Sequence, residues 1–191
     1  VALRRALKAQ TDNATVLITG ANRGIGLAFA RAALARGARK VYAAARDPSS
    51  IQLAGVEPIA LDVTQPDQVA AAAQRCGDVT LLVNNAGLVS PIGPPGGQGA
   101  GAVMQAVALN VAAPLALADA WVAATAGVPD RRIVHISSGA ARNAYAGWSV
   151  YCATKAALDM HARAVQLDAV AGLRIESLAP GVIDTGMQAH I

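Results

Sequence analysis

The chain has 191 residues, enough for one domain around one sizeable core. Hydrophobic residues make up 54% and aromatics only 3%, so that core has to be built from Ala, Val, Leu and Ile, which favours helices packed closely on a sheet over an aromatic-rich β-sandwich. The net charge of +4 comes from scattered Arg residues with no basic run, which argues against a nucleic-acid partner. No apolar run reaches the length needed to span a membrane. Two cysteines, Cys76 and Cys152, stand at no metal-ligand or disulfide-framework spacing, so a reducing, cytoplasmic compartment is the default.

Residues 1–10 (V-A-L-R-R-A-L-K-A-Q) are basic and apolar, without a long apolar stretch or a cleavage site, and read as a short helix or a disordered tail. The chain opens without Met, as a trimmed start would. Short β-rich runs then alternate with Ala-rich helical stretches, the pattern of a parallel sheet covered on both faces. Strands are predicted over 15–19, 40–44, 58–61, 80–84, 132–137 and 174–179, and helices over 25–36, 66–75, 100–125 and 151–170. Six such strands complete one α/β domain over residues 1–191: a doubly wound parallel sheet of order 3-2-1-4-5-6, with ligands at the carboxyl ends of the strands.

Strand 15–19 runs into T-G-A-N-R-G-I-G, Thr19 to Gly26. Gly20, Gly24 and Gly26 allow the backbone close to a pyrophosphate, and the helix N-terminus adds free N–H groups and a positive dipole end. Asn22, Arg23 and Ile25 share that turn and join the candidate cofactor site. Three residues separate the first two glycines, unlike G-x-G-x-x-G, and a tight turn without a ligand is the alternative. The second strand ends in Ala45 instead of the acidic residue that would accept from an adenosine ribose diol. Arg46 and Arg23 instead offer guanidinium groups to a 2′-phosphate, which points to NADP(H) over NAD(H). Asp47 is discordant, since it could serve a diol or pair with Arg46 on the surface. Asp62 and Val63 (L-D-V-T) fall where an adenine amino group could be met, and Asp62 can also be a turn or N-cap residue ahead of the next helix. At N-N-A-G, Asn84, Ala86 and Gly87 let the backbone approach a ribose, while the Asn side chains can tie neighbouring strands together.

Residues 89–101 (V-S-P-I-G-P-P-G-G-Q-G-A-G) are too rich in Gly and Pro for a helix and read as a mobile connection. In the apolar helix that follows, Asn110 precedes Pro114 by four residues, and proline has no N–H for the Asn110 carbonyl. That predicts a kink and a free acceptor able to hold a water linked to Lys155, a proton path to solvent; a plain proline kink is the alternative. Ser138, Tyr151 and Lys155 follow at spacings of thirteen and four residues. Tyr151 and Lys155 lie one helical turn apart, on one face. A free Tyr titrates near 10, roughly three units too high for easy proton exchange at neutral pH, and a nearby ammonium should lower it. Ser138 would give a second hydrogen bond to a substrate oxygen. Hydride would reach a carbonyl carbon while Tyr151 protonates its oxygen.

As a set, T-G-A-N-R-G-I-G, L-D-V, N-N-A-G, Asn110, I-S-S, Y-C-A-T-K and P-G-V-I-D-T resemble the short-chain dehydrogenase/reductase family over nearly the whole length. The resemblance implies a Rossmann fold and a catalytic tetrad of Asn110, Ser138, Tyr151 and Lys155. It also implies nicotinamide contacts from Pro180, Gly181, Ile183 and Thr185, with Ile183 meeting the carboxamide through its backbone, and a homodimer or homotetramer. The segments G-W-S-V-Y-C-A-T-K-A-A-L-D-M and D-T-G-M-Q are similar to the sepiapterin-reductase and benzil-reductase-like branch, which reduces activated ketones and diketones with NADPH. Trp148 would then line the pocket mouth with Ser138 and Tyr151. Family members continue through another strand and a substrate-covering helical segment, which this sequence is expected to lack. The activity so implied is hydride transfer between NADP(H) and the carbonyl or secondary alcohol of a small molecule. A non-catalytic NADP(H)-binding sensor and a nucleotide-sugar epimerase or dehydratase are the alternatives. The presence of both Tyr151 and Lys155 weighs against the first, and the glycine spacing and chain length against the second.

Overall fold

A computed structural model describes residues 11–181; the predicted N-terminal tail, Ile183 and Thr185 lie outside the described residues. Six parallel strands, β1 (Thr15–Thr19), β2 (Lys40–Ala45), β3 (Glu57–Ala60), β4 (Leu81–Asn84), β5 (Arg131–Ile136) and β6 (Leu173–Leu178), lie in the order β3-β2-β1-β4-β5-β6. This is the predicted doubly wound order, with its reversal between β1 and β4. Thr19 pairs with Ala44, Asn84 with His135 and Ile136 with Leu178, so the carboxyl ends bring the glycine-rich turn, N-N-A-G, Ser138 and Pro180 to one edge of the sheet.

Alternation along the strands sends side chains to two separate cores. On β1, Leu17 joins Leu82, Ile133, Leu117 and Trp121 under helices α2 (Pro66–Arg75), α4 (Ala113–Ala124) and α5 (Ser149–Leu167). Val16 and Ile18 face the other way, against Phe29, Ala30 and Ala33 of α1 (Gly24–Ala35). The small side chains of Ala30 and Ala33 let the helix sit close on the sheet. The predicted last helix starts two residues early, at Ser149, and ends at Leu167, because Ala169 takes a positive φ of 51° and turns the chain toward β6.

One expectation for the stretch 100–125 needs correction, and another gains a local description. At the predicted kink, α3 (Ala100–Val107) passes through a π turn (Ala108–Ala112) into α4, with the Ala113 N–H bonded to the Ala108 carbonyl. Widening by one residue accommodates the missing proline donor within a continuous helix. This helical run, Ala100–Ala124, has 25 residues and a mean hydropathy of 1.6 over its apolar window, which is long and apolar enough to cross a membrane by length and composition. Looking for an unbroken apolar run overlooks it, since Gln105, Asn110 and Asp119 interrupt the sequence while the Ala-rich average stays high. Leu117, Ala118 and Trp121 of its second half are buried in the core beneath the sheet.

Candidate active site

The turn between β1 and α1 is built on glycines for two distinct reasons. Gly20 takes φ +64°, where a side chain is strained, and a Cβ on Gly26 would lie 2.2 Å from the Gly20 carbonyl oxygen. That close approach lays the α1 N-terminus against the end of β1, leaving Gly24 and Arg23 exposed and Asn22 and Ile25 partly so. No side chain caps this helix, so its first N–H groups remain available to an anion. A pyrophosphate therefore fits the donor set present.

Asn85, outside the predicted site residues, braces this cradle. Its Nδ2 donates to the carbonyls of Thr19 (2.8 Å) and Gly20 (3.2 Å), and the N–H groups of Asn85 and Ala86 both donate to Thr19 Oγ1 at 3.0 Å. Asn84 turns inward instead. It is buried, with Nδ2 donating to the Pro114 carbonyl and to His135 Nδ1, each at 3.2 Å. Of the two roles considered for it, the strand tie is the one its side chain performs. Because the amide donates to Nδ1, His135 carries its proton on Nε2 and donates to His161 Nδ1, 3.1 Å away. Burial, then His161, then Lys155 hold His135 down at about 3, so it is neutral at any working pH.

At the adenosine end, Arg46 is exposed just past β2, and neither it nor Arg23 forms a salt bridge among the described residues. Asp47 does not pair with Arg46. Its Oδ1 accepts from the Ser49 N–H (2.9 Å) and Oγ (2.7 Å), capping a short 3-10 turn, Pro48–Ser50, and these bonds depress its pKa. Asp62 is likewise a turn residue rather than an N-cap: Oδ1 accepts from Thr64 N–H (3.0 Å) and Oγ1 (2.6 Å), while Gln65 holds the N-cap position of α2. The Asp62 pKa is lowered first by those Thr64 bonds, with a smaller pull from Arg46, which places the guanidinium on the same rim. Val63 packs partly buried against the core beneath.

The reacting groups converge from four elements. Lys155 is buried, and Nζ donates to the Ile136 carbonyl at the end of β5, 2.8 Å away. Nζ lies 5.6 Å from the centroid of the Tyr151 ring. Ser138, one residue beyond Ser137, caps the 3-10 turn Gly139–Ala141 through the Ala140 N–H (3.2 Å), and its hydroxyl draws the Tyr151 pKa down. Asn110 works through its side chain: Oδ1 accepts from the Leu88 N–H (2.9 Å), and Nδ2 donates to the Leu88 carbonyl (2.7 Å) and Thr154 Oγ1 (3.2 Å). The π turn is thereby pinned to the segment after N-N-A-G and to the helix of Tyr151. A Cβ on Gly87 would stand 3.1 Å from Asn110 Oδ1 and 3.7 Å from Lys155 Nζ, so this glycine keeps the two close to the backbone beside them. Thr154, not singled out from the sequence, lies within Y-C-A-T-K itself.

The electrostatics differ from the sequence-based expectation in one respect. Burial raises the Tyr151 pKa above its ordinary value, and the influence opposing it is the Ser138 hydroxyl rather than Lys155. With its Nζ drawn to Ile136, the lysine lies over the ring, 5.6 Å from its centroid. Burial also lowers the Lys155 pKa to about 8, opposed by the charge of Asp159. Around the phenol, Val89 and Ala140 pack with it, and Trp148 meets it edge-on at 5.6 Å while also contacting Tyr145 at 5.6 Å. Pro180 and Gly181 (φ +83°) follow β6 at the same edge of the sheet.

A glycine turn at the switch point of a parallel sheet, with a Ser-Tyr-Lys group two strands over, defines a dinucleotide-dependent oxidoreductase. The sequence profile of the short chain dehydrogenase family matches residues 14–191. Benzil reductase ((S)-benzoin forming) of Bacillus subtilis (strain 168) is 34% identical over 188 residues, covering 92% of this chain and 76% of that protein. A short-chain dehydrogenase from Burkholderia cenocepacia J2315, solved in complex with NADP, superposes with a TM-score of 0.89 at 32% identity over 95% of this chain and 78% of that one. A short-chain dehydrogenase/reductase from Burkholderia vietnamiensis reaches 45% identity at a TM-score of 0.80, over 94% and 88% of the two chains. The chain belongs to the short-chain dehydrogenase/reductase family, close to its benzil-reductase-like members, whose relatives act on carbonyls or alcohols with a nicotinamide dinucleotide.

Proposed function

We propose that the protein is an NADP(H)-dependent carbonyl reductase whose substrates are small ketones and diketones. The observation that carries the reading is the grouping of Ser138, Tyr151 and the buried Lys155, whose Nζ donates to the Ile136 carbonyl, at the carboxyl end of β5 on the same edge of the sheet as the glycine cradle. When bound, NADPH would supply the hydride. Tyr151 gives its proton to the carbonyl oxygen, Ser138 donates the second hydrogen bond that holds that oxygen, and Lys155 holds the nicotinamide ribose and the positive charge that favours the phenolate. Asn110 keeps its helix pinned so that the π turn faces Lys155, where its carbonyl can hold a water on the path by which the proton is replaced. Tyr145 and Trp148 form an aromatic wall beside the phenol, which suits aryl or other flat activated ketones.

The preference for NADP(H) rests on Arg23 and Arg46 standing without salt bridges among the described residues while Asp47 is engaged by Ser49. The NADP complex of the B. cenocepacia structure is consistent with it. Arg46→Asp is expected to raise the KM for NADPH by about tenfold to a hundredfold while leaving that for NADH little changed, as fits loss of a charged hydrogen bond. Steady-state kinetics with both cofactors checks this, and an unchanged ratio would make Arg46 a bystander. The function as a whole is tested by following NADPH absorbance with a panel of diketones, pterins, quinones and simple aldehydes; no oxidation with any of them would leave only the cofactor-binding reading.

A homodimer or homotetramer in the cytoplasm completes the proposal. Met104 on α3 and Met160 and Leu167 on α5 are exposed, at 72%, 57% and 85% respectively, on helices able to pair about a two-fold axis. Met160→Glu is expected to shift the assembly toward monomer in sedimentation, and an unaltered profile would move the interface elsewhere. The two free cysteines accord with a reducing compartment.

A further inference from the structure

Asp159 stands one turn beyond Lys155 on the same face of α5, and it is buried. Acidic residues seldom occupy such positions without partners. Here three segments of the site meet at its carboxylate. Ser177 Oγ, on β6 shortly before Pro180, donates to Oδ1 at 2.7 Å. Arg142 Nε, directly after the 3-10 turn that Ser138 caps, lies 3.7 Å from Oδ2. The third is α5 itself, which carries Tyr151 and Lys155.

Lys155 has little else to balance its charge. Its hydrogen-bond acceptor, the Ile136 carbonyl, is neutral. The ionisable groups facing it are Tyr151 and Asp159 on α5 and His135 on β5, with Arg142 behind Asp159; from the π turn it faces Asn110, which is neutral. His135 is tied as a neutral ring between Asn84 and His161. Among the described residues, that leaves one anion, Asp159.

We propose that Asp159 is a positioning residue for the reaction: held in place by Ser177 and Arg142, it is the counter-charge that keeps Lys155 an ammonium within the buried site. The inference rests on the assignment of Lys155 to catalysis given above. It has a direct test, because the chain contains only three lysines, Lys8, Lys40 and Lys155. In the full chain labelled with 13C at lysine Cε, the Lys155 resonance, identified by its loss in Lys155→Arg, reports its protonation without any substrate. Asp159→Asn keeps an oxygen to accept from Ser177 but removes the charge. It is expected to move the Lys155 titration down by about one pH unit, and the basic limb of kcat/KM down with it. Asp159→Glu, which restores the charge, is expected to bring both back toward the parent.

Arg142→Gln, an exposed substitution, gives the opposite sign. With the competing cation gone, Asp159 acts on Lys155 alone and the lysine titrates higher. A Lys155 resonance that titrates as in the parent in Asp159→Asn overturns the proposal; should that variant not fold, an unmoved titration in Arg142→Gln does so. A moved titration in a chain that oxidises NADPH with no carbonyl would instead sink the functional reading and leave the pairing intact.

Discussion

Tyr151→Phe is expected to cost about a thousandfold in turnover while leaving NADPH affinity within a small factor of the parent. The phenol is buried among Val89, Ala140 and Trp148, so phenylalanine keeps the packing and removes only the hydroxyl. That hydroxyl is the group whose pKa Ser138 lowers, and the one that can protonate an oxygen held by Ser138. Single-turnover kinetics with a reducible diketone, alongside fluorescence titration of NADPH, separates chemistry from binding. Substantial turnover in the phenylalanine variant would remove Tyr151 as the acid, whatever the fate of Lys155.

The second large effect concerns stability. In the free protein Lys155 titrates at about 8 in place of 10.5, because burial penalises its charge. A base depressed on folding destabilises the native state below its folded pKa, and the penalty is relieved as pH rises from about 8 toward 10.5, where the unfolded chain binds the extra proton. Lys155→Met keeps most of the apolar stem and removes the charge. The stability difference, parent minus variant, should therefore climb by about 3 kcal/mol across that window. Taking the difference matters, since the Cys76 thiol, pushed up to about 12 by burial, contributes with opposite sign above pH 9 in both chains. Thermal melts from pH 7 to 11 measure it, and a flat difference would mean that Lys155 is not an ammonium carried at a cost. The same variant should lose turnover, so stability and activity part company at this residue.

Much of this could be read from residues alone because the relevant physics is local. Apolar runs separated by Ala-rich stretches dictate parallel strands under helices, and the sheet order follows from right-handed crossovers of that length. Tyr151 and Lys155 share a helix face whatever surrounds them. Asn84 and Asn85 show where locality ends. Adjacent in sequence, they do opposite things: Asn84 is still in β4 and faces inward to His135, while Asn85 is past the strand and reaches across to β1. Which of the two touches the cradle depends on a strand boundary one residue wide. Pro114 is a similar case. A lost donor is certain from sequence, but the π turn that takes it up is held by Leu88 and Thr154 gripping Asn110 from two other segments. The Tyr151 pKa depends on where the amine at the end of a long, flexible side chain comes to rest, and Ile136 decides that.

The brace between Thr19 and Asn85 has a practical implication for anyone recasting this enzyme's coenzyme choice. Because one carboxamide and one hydroxyl lock the two loops to each other, the diphosphate pocket and the ribose ledge shift together or not at all. Transplanting a foreign Thr19–Gly26 segment therefore requires a matching partner at position 85, whereas edits at Arg46, out on the rim, can be made alone.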